Sequence, residues 1–413
     1  MRGKSMKIRY YLLAGSLVSG ILSYAPSVYA QNGDLPQGAQ KRVDDAYRRR
    51  NFTFSRFGED YSDFKNYLNK EYGFDYSLDI SYMPQRGAPN GRKTAYQTLI
   101  SPSFTWTTFD NEYGSGTLNF AYTVARYGGS QAARIGSNIG VATEINDYDD
   151  KSNSFNELYY SYQLGGSWKW LTVAAGQFPI SNFDGTAYDS NQQINFINYA
   201  LSQNASSTYS TAGVGAYLQA TPNAEWTFAV GAQDASNVDG ISVRVNSLND
   251  EHYATFGYVA YSPTIKGLGA AQYSVLLYNQ PWVNEQKQTT NGWSVNVSQA
   301  IGDKLTVFGR VNGVSGSTAE INQSWVLGMV YDNPLDRNPL DQIGLAFAYN
   351  KVDEKAVGEK LAHDSEKVIE AYWAWGISKW MTITPDVQFY IDPALNQKSD
   401  YGTVFSLRAS FFF

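Results

Sequence analysis

The chain of 413 residues carries a formal charge of −6 and no cysteine. That excludes disulfides, thiol catalysis and thiolate metal sites, and it speaks against a nucleic-acid partner. Aromatic residues make up 15 % of the sequence although the mean hydropathy is −0.38, and beyond residue 30 no stretch approaches about twenty uninterrupted apolar residues, which excludes helical membrane spans.

The first element is a leader. Arg2, Lys4, Lys7 and Arg9 precede an apolar run from Tyr10 to Ile21, and Val28-Tyr29-Ala30 supplies a small-x-small site. This predicts a secretory signal peptide over residues 1–30, cut after Ala30. Losing its four basic residues takes the formal charge to −10, since −6 − 4 = −10. Residues 31–71 read as a periplasmic arm, basic at Arg48, Arg49 and Arg50, followed by an amphipathic helix with Phe57, Tyr61, Phe64, Tyr67 and Leu68 at helical spacing. That helix is expected to plug or brace one end of the domain that follows.

From residue 72 onward the pattern changes to period two. Apolar alternation predicts strands at Phe74–Met83, Tyr96–Phe109, Gly116–Tyr127, Phe155–Leu164, Lys169–Gln177, Thr208–Ala220, Glu225–Ala232 and His252–Tyr261. Eight more follow at Gly269–Asn279, Gly292–Ala300, Leu305–Asn312, Ile321–Tyr331, Gln342–Asn350, Val368–Ser378, Met381–Ile391 and Thr403–Phe413. Short turn-like links alternate with longer ones, which is the habit of a transmembrane barrel with tight periplasmic turns at one rim and long loops at the other. "DNPLDRNPLD", long where a tight turn is expected, breaks the rule. The fold class is therefore all-β: a transmembrane antiparallel β-barrel of about 16 strands over residues 72–413. A soluble β-sandwich or solenoid shares the composition, but it would leave the final strand unexplained.

In that strand Phe413, Phe411, Ala409, Leu407 and Phe405 fall on one face while Ser410, Arg408 and Ser406 fall on the other. A lipid-facing strand sealed against the first strand accounts for it. Trp106, Trp170, Trp226, Trp375 and Phe413 lie near short connections and are expected to form the aromatic girdle at the lipid boundary. A terminal Phe also resembles the signal read by the outer-membrane insertion machinery, an expected partner alongside outer-membrane lipid.

Catalysis finds no support. The two histidines, His252 and His363, have no serine and carboxylate set around them, and the acidic runs read as solvated loops. No cofactor and no metal site is expected. With apolar residues assigned outward, Asp75, Asp79, Glu157, Tyr159, Arg310, Glu370, Tyr372, Asp386, Gln388 and Arg408 face inward, where they either filter solutes or cross-brace the wall.

Four passages carry a family resemblance. "WMTITPDVQFYIDP" with the final strand resembles the C-terminal hairpin of carbohydrate-selective outer-membrane porins of the OprB type. "NPLDQIGLAFAY" and "FKNYLNKEYGFDYSLDISY" resemble other parts of that family, and "LTVAAGQFPISNF" is a weaker echo. Pro385, Asp386 and Gln388 match its Pro-Asp-x-Gln, and Pro393 its following proline. The resemblance implies a sixteen-stranded pore passing monosaccharides or oligosaccharides. Other small solutes, such as cationic metabolites or amino acids, and a sealed structural or adhesin barrel are the alternatives.

Two further expectations are specific. The segment Phe178 to Ser207 is rich in Asn, Gln, Ser and aromatics, so it is expected to fold into the barrel mouth with Asn182, Asp184, Gln192 and Asn195 available to solute hydroxyls. In the last hairpin, Met381 opposite Phe413 places Asp386 opposite Arg408, with Glu370 beside Asp386 or Gln388 and Asp79 approaching Arg408 across the closure.

Overall fold

Every expected strand forms in the computed structural model, which describes residues 55–89, 93–316 and 318–413. The expected signal peptide and the arm lie outside the described residues. The strands are β1 (Phe74–Ala88), β2 (Thr94–Asn111), β3 (Gly114–Gly129), β4 (Ser152–Leu164), β5 (Leu171–Phe178), β6 (Gly213–Ala220), β7 (Trp226–Asp234) and β8 (Tyr253–Tyr261). They continue as β9 (Gly269–Gln280), β10 (Thr290–Ile301), β11 (Leu305–Val314), β12 (Ile321–Asp332), β13 (Gln342–Val352), β14 (Ser365–Ser378), β15 (Met381–Ile391) and β16 (Tyr401–Phe412). A two-residue strand, Thr264–Ile265, pairs with the start of β9 inside the β8–β9 turn. Among the described residues the α-helices are α1 (Ser55–Tyr72), α2 (Ala132–Ile139), α3 (Tyr199–Ser202) and α4 (Glu354–Val357).

Each strand pairs antiparallel with its sequence neighbour, and β16 returns to β1 from Asp79↔Phe412 to Ala88↔Thr403. The closure follows from the solvent. In lipid an unpaired backbone N–H or C=O costs several kcal/mol, and only a closed ladder leaves no edge. Alternation then sorts the side chains: along β15, Thr382, Thr384, Asp386, Gln388 and Tyr390 point inward and are buried, while on β12 Leu327 is 68 % exposed on the outer face.

Turns and loops divide between the rims as the links predict. The long "DNPLDRNPLD" turn is tied down: the Arg337 guanidinium donates to both Asp341 oxygens, at 3.0 and 2.5 Å, and lies 3.9 Å over the Trp375 ring. Trp106 and Trp226 stand exposed on the outer face near the turn rim, where girdle residues belong.

The final hairpin differs from expectation by two residues. Met381 pairs with Phe411, so Asp386 lies opposite Ser406 and Arg408 opposite Thr384. Trp380 in the turn takes the Phe412 amide at 3.0 Å, and Phe413 passes beyond the hairpin to exchange bonds with Leu78 of β1, at 3.0 and 3.1 Å. A shift of two preserves side-chain parity, so Asp386 and Arg408 remain inward as diagonal neighbours. Glu370 pairs with Gln388 as expected. Asp79 does not approach Arg408, because the closing register sets it opposite Phe412 at the turn rim.

Helix α1 docks on that same seam. Tyr61 buries itself with Phe413 and meets Tyr76 edge-on at 6.4 Å, and Lys65 reaches Asp75 at 3.8 Å. Phe413, expected at the lipid boundary, is consequently only 5 % exposed.

Candidate functional site

The lumen is shaped by two loop-side segments that turn into the barrel. The longer, residues 179–212, leaves β5 and crosses to the opposite wall. There the inward side chains of β14 and β16 grip its backbone. Arg408 donates to the carbonyl oxygens of Gln192, of Ile194 at 2.9 Å and of Asn195 at 2.8 Å, and Ser410 Oγ donates to Gln193 O at 2.7 Å. Two residues on, Glu370 accepts the amides of Ile197 at 2.5 Å and Asn198 at 2.9 Å. One guanidinium and one carboxylate thus hold the opposite poles of the same stretch of main chain.

Arg310 of β11 repeats the device further along. It donates to the carbonyls of Asp189 at 3.2 Å, Ala200 at 3.0 Å and Gln203, and pairs with the Asp189 carboxylate at 3.2 Å. Asp184 is a hub: its carboxylate accepts from Gly185 N and Asn204 Nδ2 at 2.9 and 2.8 Å, from Asn296 Nδ2 of β10 at 3.0 Å, and from the Tyr209 hydroxyl at 3.3 Å. Charge-assisted bonds of this kind are about twice as strong as neutral ones.

The remaining sequence-predicted residues fall into place around this frame. Asn182 Nδ2 donates to Glu157 at 2.6 Å. Gln192 accepts the Asp147 amide at 3.0 Å and donates to Gln97 at 3.4 Å, and Asn195 Nδ2 donates to Ala187 O at 2.9 Å. Their amides bind protein, and Gln192 and Asn195 are buried while Asn182 is half-buried. Tyr159 packs with Phe178 and Tyr217, and Tyr372 lies edge-on to Phe196 at 4.9 Å while donating to Gln342. Gln388 donates to Ile145 O at 2.9 Å. Asp386 is buried within electrostatic reach of Glu370 and Arg408. Asp79 sits apart from this group, near Lys65.

The rule that apolar residues face outward does not hold throughout. Phe256, Leu276, Phe308 and Val326 point inward and are buried, because the infolded segment gives them Phe183, Phe196 and Leu201 to pack against. A barrel with an open, water-filled lumen would leave such side chains wet.

Sequence reasoning missed Glu366 and the second infolded segment, residues 131–151. Glu366 shares the inward face of β14 with Glu370, but the strand was expected to begin at Val368 and begins at Ser365, so a boundary set late left it outside the barrel. The second segment carries Glu144, Asp147 and Asp149. Asp147 accepts from Ser202 and, at 3.4 Å, from Gln203. Glu144 keeps open contact with solvent although protein crowds it on most sides, and that crowding, with Asp149, Asp147 and Glu320 adding repulsion, pushes its pKa up to about 8.

The description "carbohydrate-selective porin, OprB family" matches residues 244–413. Porin AaxA of Chlamydia pneumoniae is 41 % identical over 345 residues, covering 81 % of this chain and 78 % of that protein, and porin AaxA of Chlamydia abortus is 38 % identical over 355 residues, covering 84 % and 79 %. The chain belongs to the OprB family of porins. Among solved structures, Pseudomonas putida OprB at high pH superimposes with a TM-score of 0.71 at 14 % identity, over 86 % of this chain and 97 % of that one. Its neighbours are outer-membrane porins, and the outer membrane is where this OprB-family barrel resides.

Proposed function

We propose that the barrel is a passive diffusion pore for small polar solutes, with carbohydrates the leading class and no turnover chemistry. The observation that carries the reading is the inward course of residues 179–212, pinned to the far wall by Arg408, Glu370 and Arg310. It narrows a polar-walled barrel, as a size filter requires. Carbohydrate preference is supported by the family description. Arg408, Glu370 and Arg310 do not supply it, since they hold backbone.

A second reading has its own support. Glu144, Asp149 and Glu320 lie in mutual electrostatic reach at the loop side, while Arg310 and Arg408 are buried under the infolded segment. This loop-side group of carboxylates favours cationic metabolites over anions. Liposome swelling with a graded series of neutral sugars, a cationic and an anionic amino acid, and salts separates the readings. Sugar-dependent swelling with little charge discrimination supports the first, and faster entry of the cationic amino acid than of a neutral sugar of equal size supports the second. Intact, protein-loaded liposomes that swell with none of these would mark a sealed barrel.

A further inference from the structure

We infer that Glu366 is the positioning residue of a second, outer constriction formed by residues 131–151; this rests on the barrel being a diffusion pore. The segment begins with α2, whose Ala132, Ile135, Gly136 and Ile139 bury against the wall. It reverses at Gly140, where φ is +82, a backbone conformation that suits glycine. At the reversal the amides of Gly140 and Val141 turn back to Gly136 O at 2.8 and 3.2 Å, and Glu366 takes the next two. The Glu366 carboxylate accepts Ala142 N at 2.8 Å, Thr143 N at 2.7 Å and the Thr143 hydroxyl. It also accepts Ala394 N at 3.2 Å, from the loop between β15 and β16. That loop is joined to the reversal directly: Leu395 N donates to Gly140 O at 2.8 Å, and Asn396 Nδ2 to Ile139 O at 2.7 Å.

Glu366 is fully buried. A buried carboxylate is retained where it satisfies several donors at once, and here the donors come from two different loop-side segments. Beyond the reversal, Ile145 O receives Gln388 and the segment meets residues 192–203 through Asp147. The outer constriction therefore stands on the inner one, and Glu366 fixes where it stands.

The test uses the chain's lack of cysteine. A Cβ built on Gly402 of β16 lies 3.5 Å from the Ile139 Cβ, within the spacing of about 3.5–4.5 Å that a disulfide spans. The full chain is compared as wild type, as Glu366→Gln, and as Glu366→Gln with Ile139→Cys and Gly402→Cys, all reconstituted and shown to be heat-modifiable. Glu366→Gln is expected to raise single-channel conductance and move the sugar exclusion limit upward. Oxidising the cysteine pair should return both toward wild type, and reductant should release them again. A folded Glu366→Gln barrel with wild-type conductance and exclusion limit overturns the inference, as does a raised conductance that the oxidised cross-link leaves untouched. If Glu366→Gln does not assemble, Thr143→Pro removes an N–H and a hydroxyl from the same carboxylate on the loop side, and the same two outcomes decide. A wild-type barrel that conducts nothing would instead count against the pore itself.

Discussion

Arg408, which sequence alone leaves open between filter and brace, holds main chain in the structure. Parity alone places it inward, and that was legible. What it touches depends on residues more than two hundred positions earlier in the chain, whose path no local pattern encodes. Replacing Arg408 with Ala leaves the carbonyls of Gln192, Ile194 and Asn195 without their donor and the Glu370 and Asp386 carboxyls without their cation. Leaving a buried acceptor without its donor in this way costs about 1–3 kcal/mol. The expected result is a barrel that still assembles, unfolds at a lower temperature in gel-shift assays and conducts more ions per channel. An unchanged unfolding temperature together with unchanged conductance would show that Arg408 does not anchor the segment.

Glu144 belongs to the same scale and behaves oppositely, because it reaches solvent. With its pKa raised to about 8, it is largely neutral at pH 6 and charged at pH 9. Cation preference, measured as reversal potential across a salt gradient, is therefore expected to rise as pH climbs through this window, and the rise should flatten in Glu144→Gln. The sign for stability runs the other way. The folded state holds this proton above the pH at which the unfolded chain releases it, so the stabilisation present at low pH is lost as pH rises toward 8. A reversal potential that tracks pH equally in wild type and Glu144→Gln would remove Glu144 from the solute path.

Among elements, the strands were the most legible part of the molecule because lipid enforces a period of two on every one of them. β15 matches its sequence reading at both ends, Met381 to Ile391. The infolded segments were less so. An excess of Asn, Gln and aromatics marked residues 178–207 as unlike a solvated loop, but residues 131–151, acidic and polar, gave no such signal. α1 was legible as an amphipathic helix, yet its partner was not, since Phe413 lies at the other end of the chain. Tyr61→Ala is expected to cost about 2–4 kcal/mol through lost packing on Phe413, seen as a lower heat-modification temperature and faster amide exchange along β1 and β16. Conductance should be unaffected, because the contact lies at the seam and outside the lumen. Equal exchange rates along both strands would show that the helix does not brace the closure.

At the scale of the whole molecule, two kinds of packing share one wall. The outer face is built for lipid and follows simple alternation. The inner face resembles the core of a soluble protein on the side where segments fold in, with Phe308, Val326 and Val330 beside Phe196 and Leu201. Sequence reading captured the first kind and misassigned part of the second, because an inward apolar residue makes sense only once something apolar covers it. The last hairpin makes the same point. Its alternation survived a two-residue error in register, so the face of each side chain was right while the partner was wrong.

The grip of Arg408 and Glu370 on main-chain atoms is blind to side-chain identity. Any residue offers the same carbonyl oxygen, and any residue but proline the same amide hydrogen. Ile194 illustrates the freedom this gives: its carbonyl is held while its side chain remains half-exposed. The segment behaves as an interchangeable insert in a fixed mount. A library that varies position 194 and the other half-exposed positions between 179 and 212 can change what the pore admits without redesigning the barrel that carries it.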